Sequence, residues 1–220
     1  MERIAKGMAI AGLAVAAAAF PVAAAKADSA RAHGLPGWEL RLGASAHDIE
    51  HDHDGSETLD LTLEVLTAPI PIWEFETKLL HVLANPRGMI GGSLNTEGHT
   101  NYVYAGLAWT YPFESGFYIT PSFGLALHDG NLKRESRPCT AAEMSAGCGS
   151  REPYGAVYTN THEEALGTSW LFREAIEIGY AFDNRFTVGV YYAHMSNANI
   201  GNEGNGGMNI AGARLGYLFN

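Results

Sequence analysis

The sequence predicts an all-β protein: an eight-stranded antiparallel transmembrane β-barrel, preceded by a cleavable signal peptide. Three observations carry this. The first residues have the pattern of an export signal. The remainder alternates large apolar residues with small or polar ones, which is the period of strands. The polar side of that alternation is too rich in Gly, Ala, Ser and Thr for a solvated surface.

Arg3 and Lys6 form a short positive start, and residues 7–25 carry no charge. Ala25-Lys26-Ala27 then reads as an A-x-A cleavage site. The uncharged run is near spanning length. Its Ala-rich composition and the cleavage site directly after it favour a signal peptide over an anchor. The expected organisation is a signal over 1–27 and one barrel domain over 28–220, long enough for one domain. That domain has 11 basic against 23 acidic residues, a formal charge of −12, which argues against nucleic acid as a partner. No later run of about 18 apolar residues offers a transmembrane helix. The 26 Gly, 10 Tyr, 9 Phe and 4 Trp suit strands that cross a membrane interface.

The strands follow in order. In 38–47, Trp38, Leu40, Leu42, Ala44 and Ala46 oppose Glu39, Arg41, Gly43, Ser45 and His47. In 59–65, Leu59, Leu61, Leu63 and Val65 oppose Asp60, Thr62 and Glu64. A weaker Gly-rich run covers 87–95. In 102–111, Val103, Leu107, Trp109 and Tyr111 oppose Tyr102, Tyr104, Gly106 and Thr110. Similar alternation runs through 117–127, 172–182, 186–195 and 209–219. Residues 67–86 fit no tight turn, and Trp73 to Leu83 reads as strand or helix.

A soluble sandwich would bury the large face and hydrate the other. A narrow barrel places the large face in lipid and the small and charged residues in a tight lumen. Arg41, Glu64, Arg173, Glu177 and Arg214 are the charges expected to pair there. Closure also removes strand edges, which a bilayer does not tolerate. Barrels of this kind have short periplasmic turns and longer outer loops. The turn at Asp183-Asn184-Arg185 is short, so the long 128–168 stretch and the 196–208 loop belong outside. The long stretch carries Cys139 and Cys148, a candidate disulfide in an oxidising compartment, with two free thiols as the alternative.

His194 and Ser196 share parity with Phe186, Val188, Val190 and Tyr192, the lipid face. A His and a Ser thus stand side by side on the outer wall near its rim. A Ser nucleophile needs a nearby base, and a same-face neighbour on one strand is within reach. For an isolated H-x-S, the plainer reading is a hydrated pair at headgroup level.

The wider pattern is His194-Met195-Ser196-Asn197-Ala198, a Gly/Asn loop, Asn205-Gly206-Gly207-Met208-Asn209 and Arg214-Leu215-Gly216-Tyr217-Leu218-Phe219. It resembles the lipid A 3-O-deacylases. Leu125-Ala126-Leu127-His128-Asp129-Gly130 and Leu171-Phe172-Arg173-Glu174 resemble them more loosely, and the first hundred residues match mainly as strands. The resemblance implies an eight-stranded outer-membrane barrel of a Gram-negative bacterium, with its active site facing lipid. The activity implied is hydrolysis of the ester-linked 3-O-acyl chain of lipid A in lipopolysaccharide. It implies Ser196 as nucleophile, His194 as general base and Asn197 as oxyanion donor. No metal or organic cofactor is expected.

The family completes its triad with a Glu early on the last strand. Here that position is Asn209 if the loop carries one inserted residue, and Met208 without it. Asn209 has lipid-face parity and Met208 has lumen parity, so Asn209 is the better equivalent. An Asn accepts a bond from the His but brings no charge. Glu174 is the candidate substitute acid, because a loop of three residues at 183–185 pairs 174 with 194. A two-residue loop would put Arg173 there instead. Glu203 in the following loop is a poorer candidate. His51 and His53, with Asp52 and Asp54, form a run able to bind a divalent metal, though acidic, solvated outer loops are common.

The leading reading is an outer-membrane serine esterase acting on lipid A. The alternatives are a catalytically silent barrel that binds lipid A, and a structural or small-channel barrel. The sequence does not fix the oligomeric state, a homodimer included.

Overall fold

Alternation of the kind found here makes one sheet face apolar and the other polar, and closing the sheet gives each face its own medium. A computed structural model of the chain describes residues 37–49, 58–132, 136–138, 140–141, 157–159, 165–182, 185–200 and 207–219. The expected signal over 1–27, Cys139, Cys148, His51, His53 and Glu203 lie outside the described residues.

The barrel strands are β1 (Trp38–Ala46), β2 (Leu59–Pro69), β3 (Arg87–Asn95) and β4 (Tyr102–Ala108), the last continued after a break by β5 (Tyr111–Pro112). β6 (Phe117–His128) follows. β7 (Ser136–Pro138) and β8 (Val157–Thr159) form a separate two-stranded ribbon in the long connection. β9 (Trp170–Phe182), β10 (Phe186–Ser196) and β11 (Met208–Phe219) complete the wall. Counting β4 and β5 as one stave, eight antiparallel staves run β4-β3-β2-β1-β11-β10-β9-β6, and pairing of β4 with β6 closes the ring. The expected barrel and all eight expected strands are present.

Parity sorts the side chains as the sequence predicts. Leu42, Leu61, Leu125, Ile178, Val190 and Leu215 are exposed on the outside. Glu39, Arg41, Glu64, Arg173, Glu177 and Arg214 are buried inside. Such an exterior is stable only where lipid, not water, meets it. Among the described residues no helix is long and apolar enough to cross a membrane; the strands do so.

The lumen is a lattice of ion pairs. Glu64 receives Arg214 at 2.9 Å, Arg41 at 3.3 Å and the Tyr104 hydroxyl at 2.7 Å. Glu177 receives Arg41 at 3.2 Å, Arg214 at 3.3 Å and the Tyr118 hydroxyl at 2.7 Å. Glu39 joins Arg87 at 3.0 Å, Arg41 at 3.1 Å and Thr187 at 2.8 Å. Shared partners on every ion offset the cost of taking the charges out of water. Four of the five charges expected to pair do so. Arg173 differs: its guanidinium carbon lies 4.1 Å from the Tyr104 ring centroid, so a ring face takes the place of a carboxylate. A void of about 10 Å³ lined by Arg41, Glu64, Glu177, Tyr191 and others is room for about one water.

The stretch that resisted assignment, 67–86, finishes β2 at Pro69, is irregular over 70–77 and then forms the short helix α1 (Lys78–Ala84). Asn85 holds it closed. Its Oδ1 accepts from Ile72 N at 2.6 Å and Trp73 N at 3.2 Å, and its Nδ2 donates to Trp73 O at 2.6 Å and His81 O at 2.7 Å. Val82 is buried, while Trp73, Leu79, Leu80 and Leu83 are exposed. Trp109 Nε1 donates to Leu83 O at 3.1 Å, docking the helix on the wall. This end also carries edge-to-face ring pairs, Tyr180 with Phe182 and Tyr217 with Phe219, as an aromatic girdle does.

Candidate active site on the outer wall

β10 carries Phe186, Val188, Val190 and Tyr192 outward, and continued alternation sends His194 and Ser196 out at its end. β10 and β11 pair His194 with Asn209 and Met195 with Met208. The two outward side chains meet, with His194 Nδ1 2.7 Å from Asn209 Oδ1. Tyr192 donates its hydroxyl to the same oxygen at 2.7 Å. An amide oxygen only accepts, so Nδ1 carries the proton in this contact and Nε2 keeps its lone pair.

Asn209 is buried although it has outward parity. The chain after β1 covers it: Asn209 N donates to Asp48 Oδ1 at 3.2 Å and Ile49 N donates to Asn209 O at 2.9 Å. Asp48 takes φ +47° to make that approach, a conformation that Asp tolerates better than most residues. Asn209 is therefore held from both sides, by β10 and by the chain after β1.

Gly207, at φ +79°, lies against the imidazole; a Cβ there would stand 2.5 Å from Cε1 and 3.2 Å from Nε2. The ring thus leans toward β11. Ser196 is the next outward residue above it, with Cα about 7 Å away along the strand, and no hydrogen bond joins the two among the described residues. Asn197 is fully buried. Its Oδ1 accepts from Asn199 N at 2.9 Å, and its carbonyl accepts from Ile200 N at 3.0 Å. Ala198 and Asn199 take φ +52° and +58° to turn the chain there.

Glu174 stands directly opposite His194 in the β9–β10 ladder, the register given by the three-residue loop. It is exposed. No hydrogen bond or ion pair joins it to His194, whose Nδ1 faces Asn209 on the other side. Sequence reasoning missed four contributors. Tyr192 was placed on the lipid face, and its spacing two residues before His194 was the available signal. Gly207 was visible only as part of a Gly-rich loop. The Asp48 and Ile49 contacts had no local signal, because they depend on closure between the first and last strands. Among the described residues no group of three His, Cys, Asp or Glu side chains is placed to hold a metal.

A closed, lipid-faced barrel of eight staves with a polar constellation on its outer wall defines an outer-membrane β-barrel protein. The sequence profile of the lipid A 3-O-deacylase (PagL) family matches residues 71–218, 148 of the 220. The chain belongs to that family. It is similar in fold to the crystal structure of the outer membrane enzyme PagL, with TM-score 0.53 and 16% sequence identity, over 81% of this chain and 98% of that one. De novo designed transmembrane β-barrels match at TM-score 0.44 and 10% identity, over 84% and 97% of the two chains. The N-terminal β-barrel domain of Pseudomonas aeruginosa OprF matches at 0.46 and 8%, over 83% and 96%. No curated protein matches the sequence.

Proposed function

We propose that this chain is an outer-membrane serine esterase that removes the ester-linked 3-O-acyl chain of lipid A in lipopolysaccharide. The observation that supports it best is the contact between His194 Nδ1 and Asn209 Oδ1, with Ser196 the next residue on the same outward face. That contact leaves Nε2 as the base.

In this reading Ser196 Oγ attacks the ester carbonyl carbon while His194 Nε2 takes its proton. The family resemblance gives Asn197 the oxyanion role; its side chain is fully buried, so that role requires it to turn outward when the ester binds. Collapse breaks the bond to the sugar oxygen, which takes the proton back from His194. Water then attacks the acyl-Ser196 ester, again through His194, and releases the fatty acid. Asn209 orients the imidazole but cannot neutralise the imidazolium by charge. In the serine-protease case, replacing the triad Asp by Asn costs about 10⁴ in turnover, so slow turnover is expected.

A second reading has support from the same neutral Asn209: a barrel that binds lipid A and has lost turnover. A channel has none, because the Arg–Glu lattice fills the lumen. The test is mass analysis of lipid A after expression in a Gram-negative host, beside Ser196→Ala. Loss of one hydroxyacyl chain with the native sequence alone supports the esterase. Unchanged lipid A with the barrel folded in that outer membrane moves the reading to the silent binder.

A further inference from the structure

We propose that Glu174 selects a glucosamine ester over a glycerophospholipid ester at this wall, an inference that rests on the lipid A reading above. Glu174 is exposed on the outward face of β9. Its ladder neighbours are His194 on β10 and Phe123 on β6. Phe123 and Phe172 stack beside it with centroids 6.0 Å apart, and Ile176 follows on the same face, also exposed. A carboxylate on a lipid-facing wall is costly. Among the described residues none bonds to it, and His194 is turned away toward Asn209 and Gly207. Among the described residues it thus has no hydrogen-bond or ion-pair partner, and it stands directly opposite His194, where a bound ester would lie.

A carboxylate only accepts hydrogen bonds. In a glucosamine that is N-acylated at position 2 and O-acylated at position 3, the carbon next to the ester bears an amide N–H. Glu174 can accept from that donor. In a diacyl glycerophospholipid, the carbons next to an acyl ester bear a second ester or the phosphodiester arm. Neither donates. The same side chain thus bonds one ester class and is left without a donor by the other, and specificity is that difference of affinities. A site built around a donor–acceptor pair also rejects a ligand lacking the donor far better than an apolar groove does.

The test uses the full barrel in mixed micelles, with lipid A and phosphatidylcholine of matched acyl length as substrates. Glu174→Gln and Glu174→Ala are compared with the native sequence. The expected result is a fall of at least 10-fold in the lipid A to phosphatidylcholine rate ratio for Glu174→Ala, with phosphatidylcholine hydrolysis rising in both variants. An unchanged ratio overturns the proposal and leaves the esterase reading standing. Equal losses on both esters also overturn it, because they mean that Glu174 acts through His194. Binding of the two lipids is measured in parallel in a Ser196→Ala background. If the native chain proves inactive, loss of lipid A preference there on Glu174→Ala still supports the proposal while the esterase reading falls. Retained preference overturns it.

Discussion

Gly207 lies against the edge of the His194 ring, so close that a methyl group on it would come within 2.5 Å of Cε1. The glycine is also at φ +79°, where a side chain adds about 1–2 kcal/mol of strain. Gly207→Ala is expected to fold and to push the imidazole off its position. Displacement of about 1 Å in a reacting group costs about 10²-fold in rate. Fatty-acid release from lipid A, with heat-modifiable gel mobility as the folding control, measures this.

Asn209 shares one oxygen between His194 and Tyr192. Asn209→Asp keeps both bonds and adds the missing charge. It is expected to raise kcat, and Asn209→Ala to lower it about 10-fold or more. Single-turnover release of acyl chain separates the two. An Asp variant no faster than the native chain would mean that charge at this position does not limit the chemistry.

Tyr192→Phe removes one donor from that oxygen without changing the lipid-facing area. The expected effect is a fall in kcat of several-fold with KM nearly unchanged, because the hydroxyl donates its proton to Asn209 Oδ1. A change confined to KM would place Tyr192 in the acyl groove instead.

Glu64 holds Arg41, Arg214 and Tyr104 together. Glu64→Gln leaves buried guanidinium groups short of charge, and breaking such a network costs about 3–5 kcal/mol. Urea unfolding in lipid vesicles is expected to show a loss of that order. The outer-wall contacts of His194 are expected to persist, since none of them passes through the lumen.

Asn85 makes four amide bonds that close the 72–85 segment. At about 1 kcal/mol net per bond, Asn85→Ala is expected to free the segment without unfolding the barrel. Tryptic cleavage at Lys78, absent from the native chain and present in the variant, checks it.

Most of the wall was legible because each strand answers to a single period. In β9, Phe172, Ile176 and Ile178 against Arg173, Glu177 and Gly179 leave one assignment, and the loop length then set the register that places Glu174 opposite His194. The 70–84 stretch was not legible. Its apolar residues keep neither period, and a seven-residue helix with no side-chain cap depends on Asn85 for support. Parity put Arg173 in the lumen but could not say that Tyr104, on the far side of β6 once the ring closes, would take the place of a carboxylate. The site was half legible: His194, Ser196 and Asn209 follow from parity. The cover over Asn209 by Asp48 and Ile49 needs the ring to be closed first.

Because His194 and Ser196 open onto the side of the barrel rather than into a cleft, whatever reaches them arrives by sliding within the leaflet. Bulk concentration has no direct bearing on such an encounter; crowding in the plane does. Diluting the leaflet with inert lipid slows the encounter even when the total amount of substrate is unchanged.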